Sequence, residues 1–132
     1  MNNTNKFANP QDPTVRQVID EVITASGRAF GALDRKVLLA GCKTERYTCT
    51  RKVAAMLLYD GLNIKTTDVA GLLGRTVGNA SHMIRSGRGL VRRDQQARAA
   101  LLAEITEGNF SAETRATLVE VVKRQTKTMD LW

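Results

Sequence analysis

The sequence predicts an all-α fold of about six helices, with one further amphipathic helix at its C-terminal end. Three observations carry that prediction. Apolar residues recur at three- and four-residue spacing through most of the chain. Capping residues, proline and glycine punctuate the intervals between these stretches. No stretch shows the alternation of a strand, and no apolar run approaches the roughly 20 residues that a membrane span needs. At 132 residues the chain is sized for one domain with a real core.

The first helix opens at Asp12-Pro13, an N-cap followed by proline at the first helical position, where its missing N–H has no intrahelical partner to lose. Val15, Val18, Ile19, Val22 and Ile23 share one face, and Gly27 is placed to end the helix. A shorter element from about Leu33 to Ala40, with Val37, Leu38 and Leu39, turns the chain before Gly41. A third helix, from about Glu45 to Tyr59, points Val53, Ala54, Met56, Leu57 and Leu58 inward and closes at Asp60-Gly61. A short fourth helix carries Val69, Ala70, Leu72 and Leu73 and stops at Gly74. After a polar turn, a fifth offers Met83 and Ile84 to the core while Asn79, Ser81, His82 and Arg85 face elsewhere, with Gly87 and Gly89 placed to end it. Asp94 to Glu107 reads as a sixth helix with Ala97, Leu101, Leu102 and Ile105 on one face. Gly108-Asn109 breaks it, and Ser111 can cap a last helix with Leu118, Val121 and Val122 inward. The expected organisation is a flexible segment 1–11, a main domain 12–107 and a C-terminal helix within 108–132, with the residues after Thr126 also flexible. That last helix either closes the core of its own chain or pairs two copies in a homodimer.

The fourth and fifth helices, T-T-D-V-A-G-L-L-G-R-T-V-G-N-A-S-H-M-I-R-S-G-R-G-L-V-R-R from Thr66 to Arg93, have the pattern of a helix-turn-helix. Asp68 is the only acid there, against Arg75, Arg85, Arg88, Arg92 and Arg93. A helix whose polar face is basic and amide-rich suits the major groove of DNA. The charge distribution agrees. Of the formal net charge of +7, residues 27–93 account for more than the total, with thirteen basic and four acidic side chains, and both ends are slightly acidic. Basic charge gathered around one element implies an anionic partner, here double-stranded DNA.

Candidates for base edges are Arg75, Thr76, Asn79, Ser81, His82 and Arg85. Arginine can pair bidentately with guanine and asparagine with adenine, each worth about 1–3 kcal/mol of discrimination. His82 has an alternative reading as a partly buried ring packed beside Met83. Candidates for phosphate contacts, which fix register and give salt dependence without reading sequence, are Lys43, Arg46, Arg51, Lys52, Arg88 and Arg92.

Other chemistries find little footing. Cys42 and Cys49 with the single histidine cannot complete a tetrahedral zinc site, and no disulfide framework is suggested. The carboxylate neighbours Asp20/Glu21 and Glu104/Glu107 read as solvated helix faces, and no nucleophile accompanies the histidine, so no enzyme is expected. The N-terminal residues lack a hydrophobic signal core, and the expectation is a cytoplasmic protein with no metal, no cofactor and no membrane contact.

The stretches R-K-V-A-A-M-L-L (51–58) and T-T-D-V-A-G-L-L-G-R (66–75) resemble the C-terminal DNA-binding domain of the bacterial replication initiator DnaA. In that family a basic helix start precedes a segment like S-L-P-E-I-G-x-x-F-G-G-R-D-H-S/T-T-V. The resemblance spans roughly residues 14–92 and implies a helical fold related to the Trp-repressor type, standing without the family's ATPase module. It also implies Arg51 at a backbone-contacting helix start and Arg75 at the mouth of the recognition helix. After Arg75 the family's Asp-His-Thr-Thr set is replaced by Thr76, Val77, Gly78 and Asn79, so the family's target sequence does not carry over. Aligning on the arginine sets His82 and Arg85 on a family histidine and arginine with a one-residue deletion in the turn; aligning on Val69 shifts the second helix by one.

The function expected from these readings is sequence-specific DNA binding, most simply as a transcriptional regulator of a bacterium, phage or mobile element. Three alternatives stand beside it: an origin-binding or replication-interfering protein, a phage small terminase subunit, and a basic module acting on an acidic protein partner.

Overall fold

Asp12 starts the first helix as the sequence places it, its carboxylate accepting from the backbone N–H groups of Thr14 and Val15. In the computed structural model, which describes residues 6–127, seven α-helices succeed one another. They are α1 (Pro13–Phe30), α2 (Arg35–Ala40), α3 (Glu45–Met56), α4 (Thr66–Leu72), α5 (Val77–Arg93), α6 (Gln95–Glu107) and α7 (Ala112–Lys127). The described residues contain no strand.

α3 is the centre of the molecule. Val53, Ala54, Ala55 and Met56 are all buried, so the last turn of this helix has neighbours on every side, while its first turns carry polar residues toward the surface. It packs against α1 on one side and α5 on the other. It then runs on into a wide π-turn, Leu57–Gly61, whose Leu57 carbonyl accepts from the Leu62 N–H at 3.2 Å. Val15, Ile19, Val22 and Ile23 of α1, Leu101 and Ile105 of α6, and Leu118, Val121 and Val122 of α7 complete the same core. α7 lies against α5, α6 and the π-turn, so its apolar stripe is covered within its own chain.

Three glycines behave differently from expectation. α1 continues through Gly27 to Phe30 and ends on Gly31 in the left-handed region, φ 75°. Gly27 is there for contact: a Cβ at this point would stand 2.4 Å from the Ala32 carbonyl oxygen. α5 likewise passes through Gly87 and Gly89 to Arg93. A Cβ at Gly87 would stand 2.2 Å from the Lys52 carbonyl oxygen, so its absence lets α5 lie close on α3. Glycine tolerance inside a helix, at about 1 kcal/mol relative to alanine, is here exchanged for packing distance.

The ends of the shorter helices fix how the chain enters the longer ones. α4 closes with the Gly74 N–H donating to the Gly71 carbonyl and the Arg75 N–H to the Ala70 carbonyl, with Gly74 at φ 66°. The next residue, Thr76, caps α5 by accepting the Asn79 N–H on its hydroxyl at 3.2 Å. Asp94 caps α6 through the Ala97 N–H, and Ser111 caps α7 through the Thr114 N–H. Of the segment 1–11 expected to be flexible, residues 6–11 form turns in which Phe7 packs on the core and Lys6 pairs with Glu113. The expectation for residues 1–5 and for those from 128 onward lies outside the described residues.

Candidate nucleic-acid interface

The four residues between α4 and α5, Leu73 to Thr76, form a tight turn, and it leans on the end of α2. Gly74 approaches that end so closely that a Cβ would sit 3.0 Å from the Leu39 carbonyl oxygen. This contact brings three stretches together: Gly41 and Lys43 after α2, Thr48, Arg51 and Lys52 of α3, and Arg75, Asn79, His82 and Met83 around the start of α5. They line a cleft of about 260 Å³ with four basic side chains and no acidic one.

Beside the cleft, α5 presents an open face. Asn79, His82 and Arg85 are exposed, and Ser81 and Ser86 are half-buried. His82 is thus on the surface rather than packed away, with its Nε2 3.3 Å from Ser86 Oγ. Arg85 and His82 are one turn apart on this face. Thr76 is exposed, but its hydroxyl already serves as the helix cap. Ser81 turns to the other flank of α5, toward Tyr59, Thr66, Arg85 and Arg88.

Arg75 departs from its expected place. It is half-buried in the cleft wall, with its guanidinium against Gly41; a Cβ on Gly41 would be 2.1 Å from Nη2. Nε and Nη2 are withdrawn from solvent and have no hydrogen-bond partner. The Arg75 charge is also felt by Arg51, whose guanidinium is held below the ordinary arginine range, first by burial and then by Arg75.

Of the phosphate candidates, Lys43 and Arg46 are exposed and Lys52 is half-buried; none has a carboxylate partner among the described residues. Arg92 is half-buried, seven residues beyond Arg85, which is two turns or roughly 10 Å along the helix.

Two candidates are used inside the molecule and are withdrawn as phosphate contacts. Arg51 is 6% exposed and donates to the Leu38 carbonyl at 2.8 Å and the Cys42 carbonyl at 2.5 Å. Arg51 thus adds a second donor to the Leu38 carbonyl in the last turn of α2, beside the Gly41 N–H, and caps the Cys42 carbonyl just past that helix. Arg88 forms a fork with Asp60, Nε to Oδ2 at 2.8 Å and Nη2 to Oδ1 at 2.7 Å, and stands 5.9 Å from the Tyr59 ring. The bond to Asp60 holds Arg88 above the ordinary arginine range. This pair ties α5 to the π-turn.

Sequence reasoning passed over Gly41, Thr48 and Met83 as cleft residues, and Val77, which is 47% exposed as the first residue of α5. Gly41 carried a signal, as a glycine closing a short helix, but nothing in the sequence set it against Arg75.

The opposite side of the molecule is electrically closed. Arg28 donates to both Glu21 and Glu104, and Arg16 and Arg35 pair with Asp20, all around α1 and α6. With α3 between α1 and α5, Arg16, Arg28 and Arg35 are paired on the α1 side, while the basic groups of the cleft have no carboxylate partner among the described residues.

The thiols differ. Cys42 Sγ lies 3.1 Å from Thr44 Oγ1, and that hydrogen bond, with Arg51 and Arg46 nearby, holds it below the ordinary thiol range. Burial, with Glu45 adding to it, pushes Cys49 up. Among the described residues no three His, Cys, Asp or Glu side chains gather as a metal site, and no helix is long and apolar enough to cross a membrane.

No family model, curated protein or solved structure matches this chain, so its resemblance to the initiator domain rests on the motif residues alone.

Proposed function

We propose that this chain binds double-stranded DNA, with α4 and α5 acting as a helix-turn-helix and α5 as the helix that enters the major groove. The observation that carries this reading is the pairing of an exposed α5 face free of carboxylates with a neighbouring cleft whose basic groups have no acidic partner. A duplex offers one negative charge per roughly 1.7 Å of axis and a groove about 12 Å wide that admits a helix. Asn79 and Arg85 are the groups suited to base edges, and His82 stands between them. Lys43, Arg46 and Lys52 are suited to the backbone that borders the groove. Regulation of transcription is the first role for such a protein. A second, occupation of replication-origin sites, is favoured by the initiator-like residues 51–58 and 66–75.

The test is selection from randomised duplexes at about 0.15 M salt, followed by titration of the winner against unselected DNA. A recovered motif bound at least about 10³-fold more tightly than random sequence is the expected result. Asn79→Ala or Arg85→Ala should weaken the selected duplex by about 10-fold or more while sparing random DNA. Absence of salt-dependent binding to any duplex would defeat the proposal.

A further inference from the structure

We infer that the cleft between the end of α2, the start of α3 and the turn before α5 is a pocket for one DNA backbone phosphate, with Arg75 as its fork. The inference rests on the DNA-binding reading and assigns Arg75 a role opposite to base reading. Three observations support it.

The first is under-satisfaction. An arginine has five N–H donors, and two of the nitrogens on Arg75 have neither a protein acceptor nor solvent. An anion with two free oxygens matches that edge in the fork geometry that arginine makes with phosphate. In the free chain the edge faces Gly41. Rotation about the last side-chain torsions turns it to the cleft opening, where an arriving oxyanion supplies both missing acceptors.

The second is charge. Lys43, Lys52 and Arg75 line the cleft together with Arg51, and no carboxylate does. Arg51 Nη1 and Nη2 are both occupied by backbone carbonyls, so Arg51 contributes field and not a contact. Two guanidinium groups held within each other's influence favour an anion between or beside them.

The third is shape. A cleft of about 260 Å³ admits a phosphate and a few waters. Its lining includes no Phe, Tyr or Trp, and the one aromatic ring there, His82, is exposed and beside Ser86, so the interior of the cleft offers charge rather than a stacking platform. Thr48 adds a hydroxyl able to donate to a phosphate oxygen, while Asn79 stands at the rim on the α5 side.

The experiment uses the full chain and its selected duplex, with each backbone phosphate replaced in turn by an uncharged methylphosphonate. At one position per binding site the substitution should weaken wild-type binding by about 10- to 100-fold and barely affect Arg75→Gln. Arg75→Gln should weaken selected and random duplexes by the same factor and lower the log–log salt slope by about 0.9. Arg75→Lys, which keeps the charge but not the fork, should restore the slope and only part of the affinity. Thermal melting of both variants confirms that each is folded. If Arg75→Gln instead changes the preferred base and leaves random DNA untouched, Arg75 reads sequence and the pocket assignment is overturned. Loss of coupling at every methylphosphonate position overturns it too while leaving DNA binding intact. A chain that binds no duplex at all overturns both readings together.

Discussion

Replacing three glycines by alanine, one at a time, tests how α5 is held on α3. In a helix interior alanine is favoured over glycine by about 0.8–1 kcal/mol, so space decides the sign. At Gly71 a Cβ would meet nothing within 4 Å, and Gly71→Ala should stabilise by about 0.5–1 kcal/mol. At Gly87 the Cβ would be 2.2 Å from the Lys52 carbonyl oxygen, 2.8 Å from its carbon and 3.1 Å from Met56 Cβ. Those first two atoms are backbone of a buried helix and cannot step aside. To reach ordinary contact distance α5 must move off α3 by about 1 Å, which loosens Ala80, Met83 and Ile84 against Val53 and Met56. Overpacking of this kind costs about 1–3 kcal/mol, and a backbone contact at 2.2 Å puts it at about 2–3, so Gly87→Ala should be net destabilising by about 1–2 kcal/mol after the helix gain is credited. Gly89→Ala sits between the two cases. The nearest atoms to its Cβ would be the guanidinium end of Arg93, at 3.0 Å and beyond, a flexible group able to swing away, so it should come closer to Gly71→Ala than to Gly87→Ala. Urea unfolding monitored by helical circular dichroism gives the comparison, with a common m-value required before midpoints are converted. A Gly87→Ala protein as stable as Gly71→Ala would refute the close α3–α5 crossing.

Other perturbations separate structural arginines from exposed ones. Arg51→Met removes both donors from the end of α2 and should cost about 2–4 kcal/mol in the same unfolding assay, whereas an unchanged midpoint would return Arg51 to the surface. Arg88→Ala should lower stability by about 1 kcal/mol and leave the salt slope of DNA binding as it was; a slope smaller by about 0.9 would identify a phosphate contact instead. With iodoacetamide over a pH series, Cys42 should be modified at lower pH and faster than Cys49, because the thiolate is the nucleophile and only Cys42 is shifted toward it. Peptide mass spectrometry reads the order, and earlier modification of Cys49 would contradict the burial described.

Local signals carried the fold. Asp12, Thr76, Asp94 and Ser111 cap helices by short-range hydrogen bonds, and Gly74 ends α4 in a left-handed turn, all within five residues. Glycine is the ambiguous signal. Gly27 and Gly89 look like stops although their neighbours are local, because a glycine that makes room for packing reads the same as one that ends a helix, and Gly87 looks like a stop until the distant Lys52 carbonyl is set beside it. The candidate site divided the same way. Helical spacing put Asn79, His82 and Arg85 on one face, and they share it. Arg88 lies on that helix with equal claim by composition, but its partner Asp60 is 28 residues away and invisible to spacing. Arg51 was hidden for the same reason, since a basic residue reads as exposed until the end of α2 folds over it; the resemblance put it at a helix start, and the structure puts it in the middle of α3.

Neutralised charge around α1 and unpaired charge around α5 also bear on how the chain meets a partner, before any contact forms. A polyanion attracts the unpaired cations of the cleft more strongly than the paired arginines around α1, so the attraction orients the molecule as well as drawing it in. On the proposed DNA-binding reading, rotation during approach would bring α5 forward and leave α1 and α6 trailing. Steering of this kind raises association rates by about 10- to 10³-fold and fades as ionic strength rises. Adding one carboxylate beside Lys43 or Lys52 would therefore slow encounter even where it touched nothing in the bound state, and the same carboxylate beside Arg28 would not.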